Sequence, residues 1–108
     1  MGYFKHDAVV AMVADYDVPT RDALMDLRSD LRAKVAEYLV DLFVGPIACM
    51  NGYDVWAILP DGSKDGWVDS DVFDAIRDRF MAICPGAVHV RWGGDDDDTH
   101  TVVSEVEA

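Results

Sequence analysis

The six residues AVVAMV at positions 8–13 are apolar throughout and rich in β-branched side chains, with Asp7 before them and Asp15 and Asp17 after. A run this short and without alternation reads as a central strand covered on both faces. Downstream of it, Leu24, Leu27, Leu31, Val35, Tyr38 and Leu42 recur at steps of three and four, which predicts one helix over about 20–43. Pro19 suits the first turn of that helix, where its missing N–H costs nothing, and Gly45-Pro46 reads as its stop. Residues 53–59, filled with Tyr, Val, Trp and Ile between Asn51-Gly52 and Pro60-Asp61-Gly62, read as a second strand.

Asp69, Ser70 and Asp71 offer an N-cap ahead of Val72, Phe73, Ile76, Phe80 and Ile83, a second helical stripe that Cys84-Pro85-Gly86 ends. In residues 87–92, Val88, Val90 and Trp92 alternate with His89 and Arg91. That period-two pattern predicts a half-buried strand with Trp92 in the core. Residues 99–106, rich in Thr and Val, would return as a hairpin across Gly93-Gly94 and the four aspartates at 95–98. The expected chain is one α+β domain over 1–108 in the order β-α-β-α-β-β, with two helices packed on one face of a mostly antiparallel sheet.

Twenty-one acidic residues against nine basic ones give a net charge of −12. Affinity for nucleic acid comes from Lys and Arg displacing counterions, so such a surface repels DNA, RNA and anionic lipid. A basic protein surface is the partner it favours, either because acidity steers association or because it mimics a nucleic-acid backbone. Solubility and a saline environment are the other readings of the same acidity. Cys49 and Cys84 form no paired motif, and the opening MGYFKHDAVV has no basic region before a long apolar run. Both predict a reduced, cytoplasmic setting. No apolar stretch reaches the roughly 20 residues that span a bilayer.

The sequence has no phosphate-binding glycine loop, dinucleotide fingerprint, nucleophile elbow or zinc-protease motif, so no catalytic residue, metal or cofactor is predicted. His6, His89 and His100 fall on three predicted strands and would bind a metal only if they converged. The 95–98 aspartates lack the alternate spacing of a calcium loop and read as a solvated turn. Asp22, Asp26 and Asp30 stand at successive i,i+4 positions, a like-charge row that suggests a contact surface for a protein partner. Asp30 is also placed to pair with Lys34. A ligand-binding set is suggested by two glycine-containing loops around the second strand. Asn51 and Tyr53 belong to one, and Lys64 and Trp67 to the other, where a cation for phosphate sits near a ring for stacking. Arg91 beside Trp92 repeats the pairing.

Three stretches, Gly2-Tyr3-Phe4-Lys5-His6-Asp7-Ala8, Asn51-Gly52-Tyr53 and Pro60-Asp61-Gly62-Ser63-Lys64-Asp65-Gly66-Trp67, resemble a group of small accessory proteins of unassigned activity. Tailed bacteriophages of the type that infects actinobacteria encode them. The group often has a second His after His6, where this chain has Asp7. The resemblance implies a phage accessory gene product and gives no activity by itself; by association with small phage proteins that interfere with host machinery or host immunity, the expectation is a non-catalytic, homo-oligomeric binding protein that acts against a host process. It would do so by sequestering a nucleotide signal through Asn51, Tyr53, Lys64, Trp67 and Arg91, or by capturing a host protein through Asp22, Asp26 and Asp30. The rival from another class is a small hydrolase or nuclease using His6 or His89 with nearby carboxylates, and a third reading is an oligomerising structural or assembly protein.

Overall fold

The computed structural model describes residues 5–64, 66–93 and 100–105, with side chains from 6 to 92 apart from 65. The 95–98 aspartates, residues 2–4 and Asp65 lie outside the described residues. The chain runs β1 (Lys5–Ala14), α1 (Val18–Arg32), α2 (Glu37–Val40), β2 (Phe43–Ala48), β3 (Tyr53–Ile58), α3 (Val68–Ile83), β4 (Val88–Gly93) and β5 (His100–Glu105). One sheet holds the strands in the order β2-β3-β1-β4-β5, every neighbouring pair antiparallel. The fold is α+β: a β-α-β-β-α-β unit of the split β-α-β kind, with β5 added beside β4.

Both long helices pack on one face of the sheet. Val9, Ala11 and Val13 of β1, with Trp56 and Ile58 of β3, meet Leu24, Leu27 and Leu31 of α1 and Phe73, Ile76 and Phe80 of α3. Each fully buried Leu or Phe in this set contributes roughly 1.5–3 kcal/mol. Asp17 starts α1, its carboxylate accepting from the Thr20 amide at 3.3 Å and the Thr20 hydroxyl at 2.8 Å, with Pro19 in the first turn. The N-cap position of α3 is Trp67, and Asp69 and Asp71 lie within its first turn instead of preceding it.

The largest difference from expectation is between α1 and β3. The helix expected to reach Phe43 stops at Arg32, α2 adds one turn, and Phe43 opens a strand. Val35, Leu39 and Leu42 still rest against the core, so the three-and-four spacing survives without a continuous helix, but Tyr38 points outward. Gly45-Pro46 lies inside β2 at an interruption of its register with β3, between Val44 and Ile47. A proline is tolerated there because β2 is an edge strand. The Arg28 guanidinium caps this region, 5.3 Å from the Phe43 ring centre and 5.6 Å from that of Trp56, and donates to the Gly45 carbonyl.

The reading of β1 needs correcting too. Asp7, Val9, Ala11 and Val13 are buried under the helices, but Val10 and Met12 on the other face are 42% and 55% exposed. β4 is inverted relative to expectation: His89 and Arg91 share the helix-covered face with Asp7, and Val88, Val90 and half-buried Trp92 lie on the open face. Among the described residues no helix is long and apolar enough to cross a membrane.

Candidate functional site

Two features stand out: a buried ionic cluster on the helix-covered side of the sheet and an uncovered apolar face on the other. The cluster centres on Asp7, near the start of β1 and only 2% exposed. β1 pairs with β4 so that Asp7 lies opposite Arg91 and Val9 opposite His89. Asp7 Oδ1 accepts from His89 Nε2 and from Arg91 Nε, both at 2.8 Å. Arg77 comes from α3, on the same stripe as Phe73 and Phe80, and is also 2% exposed. Its Nη2 binds Asp74 Oδ1 at 2.7 Å and lies 4.0 Å from Asp7 Oδ2, and its Nη1 lies 4.0 Å from Asp61 Oδ1. Ser63 Oγ donates to Asp61 Oδ2 at 2.7 Å.

Desolvation alone would raise the Asp7 carboxyl. The hydrogen bonds from Arg91 and His89, with the charges of Arg77 and Arg91, outweigh it and hold the group below its ordinary value. Asp7 is therefore ionised at neutral pH, and three carboxylates face two guanidiniums and an imidazole. The His89–Asp7 pair orients an imidazole, which is half of a general-base arrangement. Among the described residues no hydroxyl or thiol hydrogen-bonds to His89, and the other contacts of Asp7 are arginines. The arrangement as built ties β1, β4, α3 and the 60–64 loop together. It also brings together two of the stretches behind the phage resemblance, since Asp7 and Asp61 both face Arg77.

The open face of the sheet is built from His6, Ala8, Val10 and Met12 of β1, Tyr53 and Val55 of β3, Val88, Val90 and Trp92 of β4, and Val44 and Ile47 of β2. Val10, Met12, Ile47 and Tyr53 are exposed. None of these described side chains is a carboxylate, and His6, its ring 5.7 Å from that of Trp92, is the one titratable group among them beside Tyr53; the register of β4 with β5 sets Glu105 opposite Val88 and His100 opposite Trp92. Among the described residues the exposed acids are Asp22 and Asp26 on α1, Asp69, Asp71 and Asp78 on α3, Glu37 on α2, and Asp15 and Asp41 in the connections.

The five residues expected to bind a nucleotide are spread along the sheet. Asn51 and Tyr53 lie at the start of β3, and Lys64 and Trp67 lie beyond its end, roughly 17 Å further along a six-residue strand. Asn51 has φ 62° and Gly52 φ 76°, so this Asn-Gly pair serves a tight turn whose Gly52 carbonyl accepts from the Asp15 amide at 2.8 Å. Trp67 lines a cleft with Asp61 and Asp69, and Arg91 is committed to Asp7.

Comparison of the chain with protein-family models, with curated proteins and with solved structures finds no match.

Of the acidic row, Asp22 and Asp26 are exposed, while Asp30 binds Arg79 of α3 at 2.7 Å and not the expected Lys34. Asp22 also lines a cavity of about 300 Å³ with Val18, Arg21, Met25, Pro46 and Trp56. His6 and His89 lie on opposite faces of the sheet, so the three histidines cannot share a metal, and among the described residues no group of metal-binding side chains gathers. The ionic cluster was missed in the sequence. Its one signal is Arg77, a charge four residues after Phe73 on the apolar stripe of α3.

Proposed function

We propose that the protein is a non-catalytic, homo-oligomeric binding protein of phage accessory type. It pairs through the open faces of its sheets and presents its acidic helix layers outward to a basic host protein. One observation carries the reading: the described side chains of β1, β2, β3 and β4 on the open face include no carboxylate, whereas α1 and α3 carry exposed ones. β1 has the composition of a strand covered twice, and the described residues cover it once. A contiguous exposed apolar face of this kind marks an interaction site. At a net charge of −12, two copies repel each other least across the part of this face built by β1, β2 and β3, where the described side chains include no carboxylate, and this favours it for self-association. Joined there, the pair displays acidic helices on both outer sides, an arrangement suited to steering onto a basic protein.

Sedimentation across a dilution series, comparing the wild type with Met12→Asp, tests the reading. The wild type should dissociate with dilution, and Met12→Asp should sediment as a monomer with an unchanged far-ultraviolet spectrum. In parallel host-lysate captures, Asp22→Lys with Asp26→Lys and Asp78→Lys should lose the proteins that the wild type retains. A wild type that stays monomeric at every concentration would overturn the pairing. Helix-layer reversals that capture the same proteins as the wild type would overturn the acidic recognition.

A further inference from the structure

A cleft of about 200 Å³ lies between α2 and the loop that leads into α3. Tyr38, Trp67 and Phe73 line it together with Asp61, Ser63 and Asp69. Phe73 is fully buried, while Tyr38 is 74% and Trp67 53% exposed. Two exposed rings and a buried one, meeting two carboxylates, have the composition of a site for an organic cation: aromatic faces attract positive charge, and a carboxylate fixes it.

The charge on Asp61 is incompletely matched. Its side chain is 5% exposed, with one oxygen taken by the Ser63 hydroxyl and the other 4.0 Å from Arg77 Nη1. Arg77 is held more closely by Asp74, at 2.7 Å, and is shared with Asp7. Asp61 therefore has attraction left for a second cation on the cleft side. The cleft also adjoins the N-terminus of α3, where a helix ordinarily favours anions. Asp69 and Asp71 in that first turn oppose an anion, so phosphate is disfavoured. Its volume falls below the roughly 300 Å³ at which pockets for drug-sized ligands begin. The cleft has room for a side-chain head and not for a nucleotide.

We infer that this cleft binds an alkylammonium or guanidinium head, and that its occupant is a lysine or arginine side chain of the basic protein partner. The identity of that occupant rests on the reading of the protein as a captor of a basic protein, whereas cation binding by the cleft stands independently of it.

The test is a titration of the full-length ¹⁵N-labelled protein with n-butylammonium, following the indole N–H signals and assigning that of Trp67 with Trp67→Phe. The expected result is a saturable shift of the Trp67 signal, no response to n-butanol or inorganic phosphate, and affinity weakened on the order of fivefold by Asp69→Asn or Tyr38→Leu. An equal response to n-butanol, a larger one to phosphate, or unchanged affinity in Asp69→Asn would overturn the inference. A Gly-Lys-Gly peptide binding more tightly than n-butylammonium supports a protein side chain as occupant. Tighter binding of the free amine overturns that part and identifies a small-molecule cation. Because the titration involves neither the sheet face nor a lysate, its failure leaves the sedimentation result standing, and the two readings fail separately.

Discussion

Replacing Asp7 by Asn tests whether the ionic cluster holds the fold together. Asn keeps the shape and one acceptor oxygen but removes the charge that His89, Arg91 and Arg77 surround. Arg77 is then left with Asp74 at 2.7 Å and Asp61 at 4.0 Å, still 2% exposed, and its Nε and Nη1 already lack hydrogen-bond partners. Breaking one partner out of a buried ion pair costs about 3–5 kcal/mol, and the remaining carboxylates place this case at the lower end. Against a total stability of about 5–15 kcal/mol for a domain, that is a large fraction. Urea unfolding at fixed protein concentration is the assay. With an m-value of about 1–3 kcal/mol per molar, the midpoint should fall by about 1 M or more.

The pH dependence gives an independent check. The Asp7 carboxyl lies below its ordinary value of 3.8 in the folded chain, so the unfolded chain takes up the proton first as pH falls. The stability this supplies is fully present above the unfolded value and is lost as pH drops through the folded one. The gap between wild type and Asp7→Asn should be flat from neutral pH down to about 4–5 and narrow below that. A midpoint unchanged by the substitution, or a gap that widens in acid, would refute the argument that Asp7 is a stabilising ionised centre.

Two further outcomes follow from packing and exposure. Gly45→Ala would place a Cβ 2.8 Å from Trp56 Cδ2 and Cε3 and 2.9 Å from the Val55 carbonyl, at a φ of +127°. It should cost at least about 2 kcal/mol, a fall in Tm of about 8 °C or more by thermal melt; a drop under about 4 °C would show that the Trp56 ring steps aside. A thiol-exchange reagent at mildly alkaline pH should titrate exposed Cys49 quickly, while Cys84 reacts only in urea, because burial and the charge of Asp17 push its thiol up to about 11. Two fast thiols in the native protein would contradict the sealing of Cys84.

Much of the fold was legible because local chemistry and tertiary packing agree. The β1 run, the Leu24, Leu27, Leu31 stripe, the Phe73, Ile76, Phe80 stripe and the Cys84-Pro85-Gly86 stop all correspond to elements that form. The segment from Arg32 to Phe43 was not legible, since Ala33, Lys34, Ala36 and Glu37 carry no breaker, and the chain leaves the helix to bring Phe43 into the sheet. Gly45-Pro46 looked like a stop because the edge position that excuses a strand proline is a property of the whole sheet. Among the candidate residues, Asp22 and Asp26 are exposed as expected. Asp30 was not readable as a partner of Arg79, 49 residues away in sequence, and the separation of Tyr53 from Trp67 along β3 depends on topology that spacing does not encode.

The inversion of β4 links architecture to function. Alternation told which residues of β4 share a face, but hydrophobicity assigned the wrong face to the interior. Arg77 on the α3 stripe brings a charge under the helix layer, and a buried charge needs partners. Asp7, His89 and Arg91 meet that need only in the observed register, since a one-residue slip of β4 against β1 would carry His89 and Arg91 to the opposite face. The same register sends Val88, Val90 and Trp92 outward to join Val10 and Met12. Replacing the ionic cluster with well-packed apolar residues of similar volume would leave a stable domain but weaken the restraint on register. The self-association proposed for the open face should then be lost in sedimentation even though none of that face's own residues has been changed.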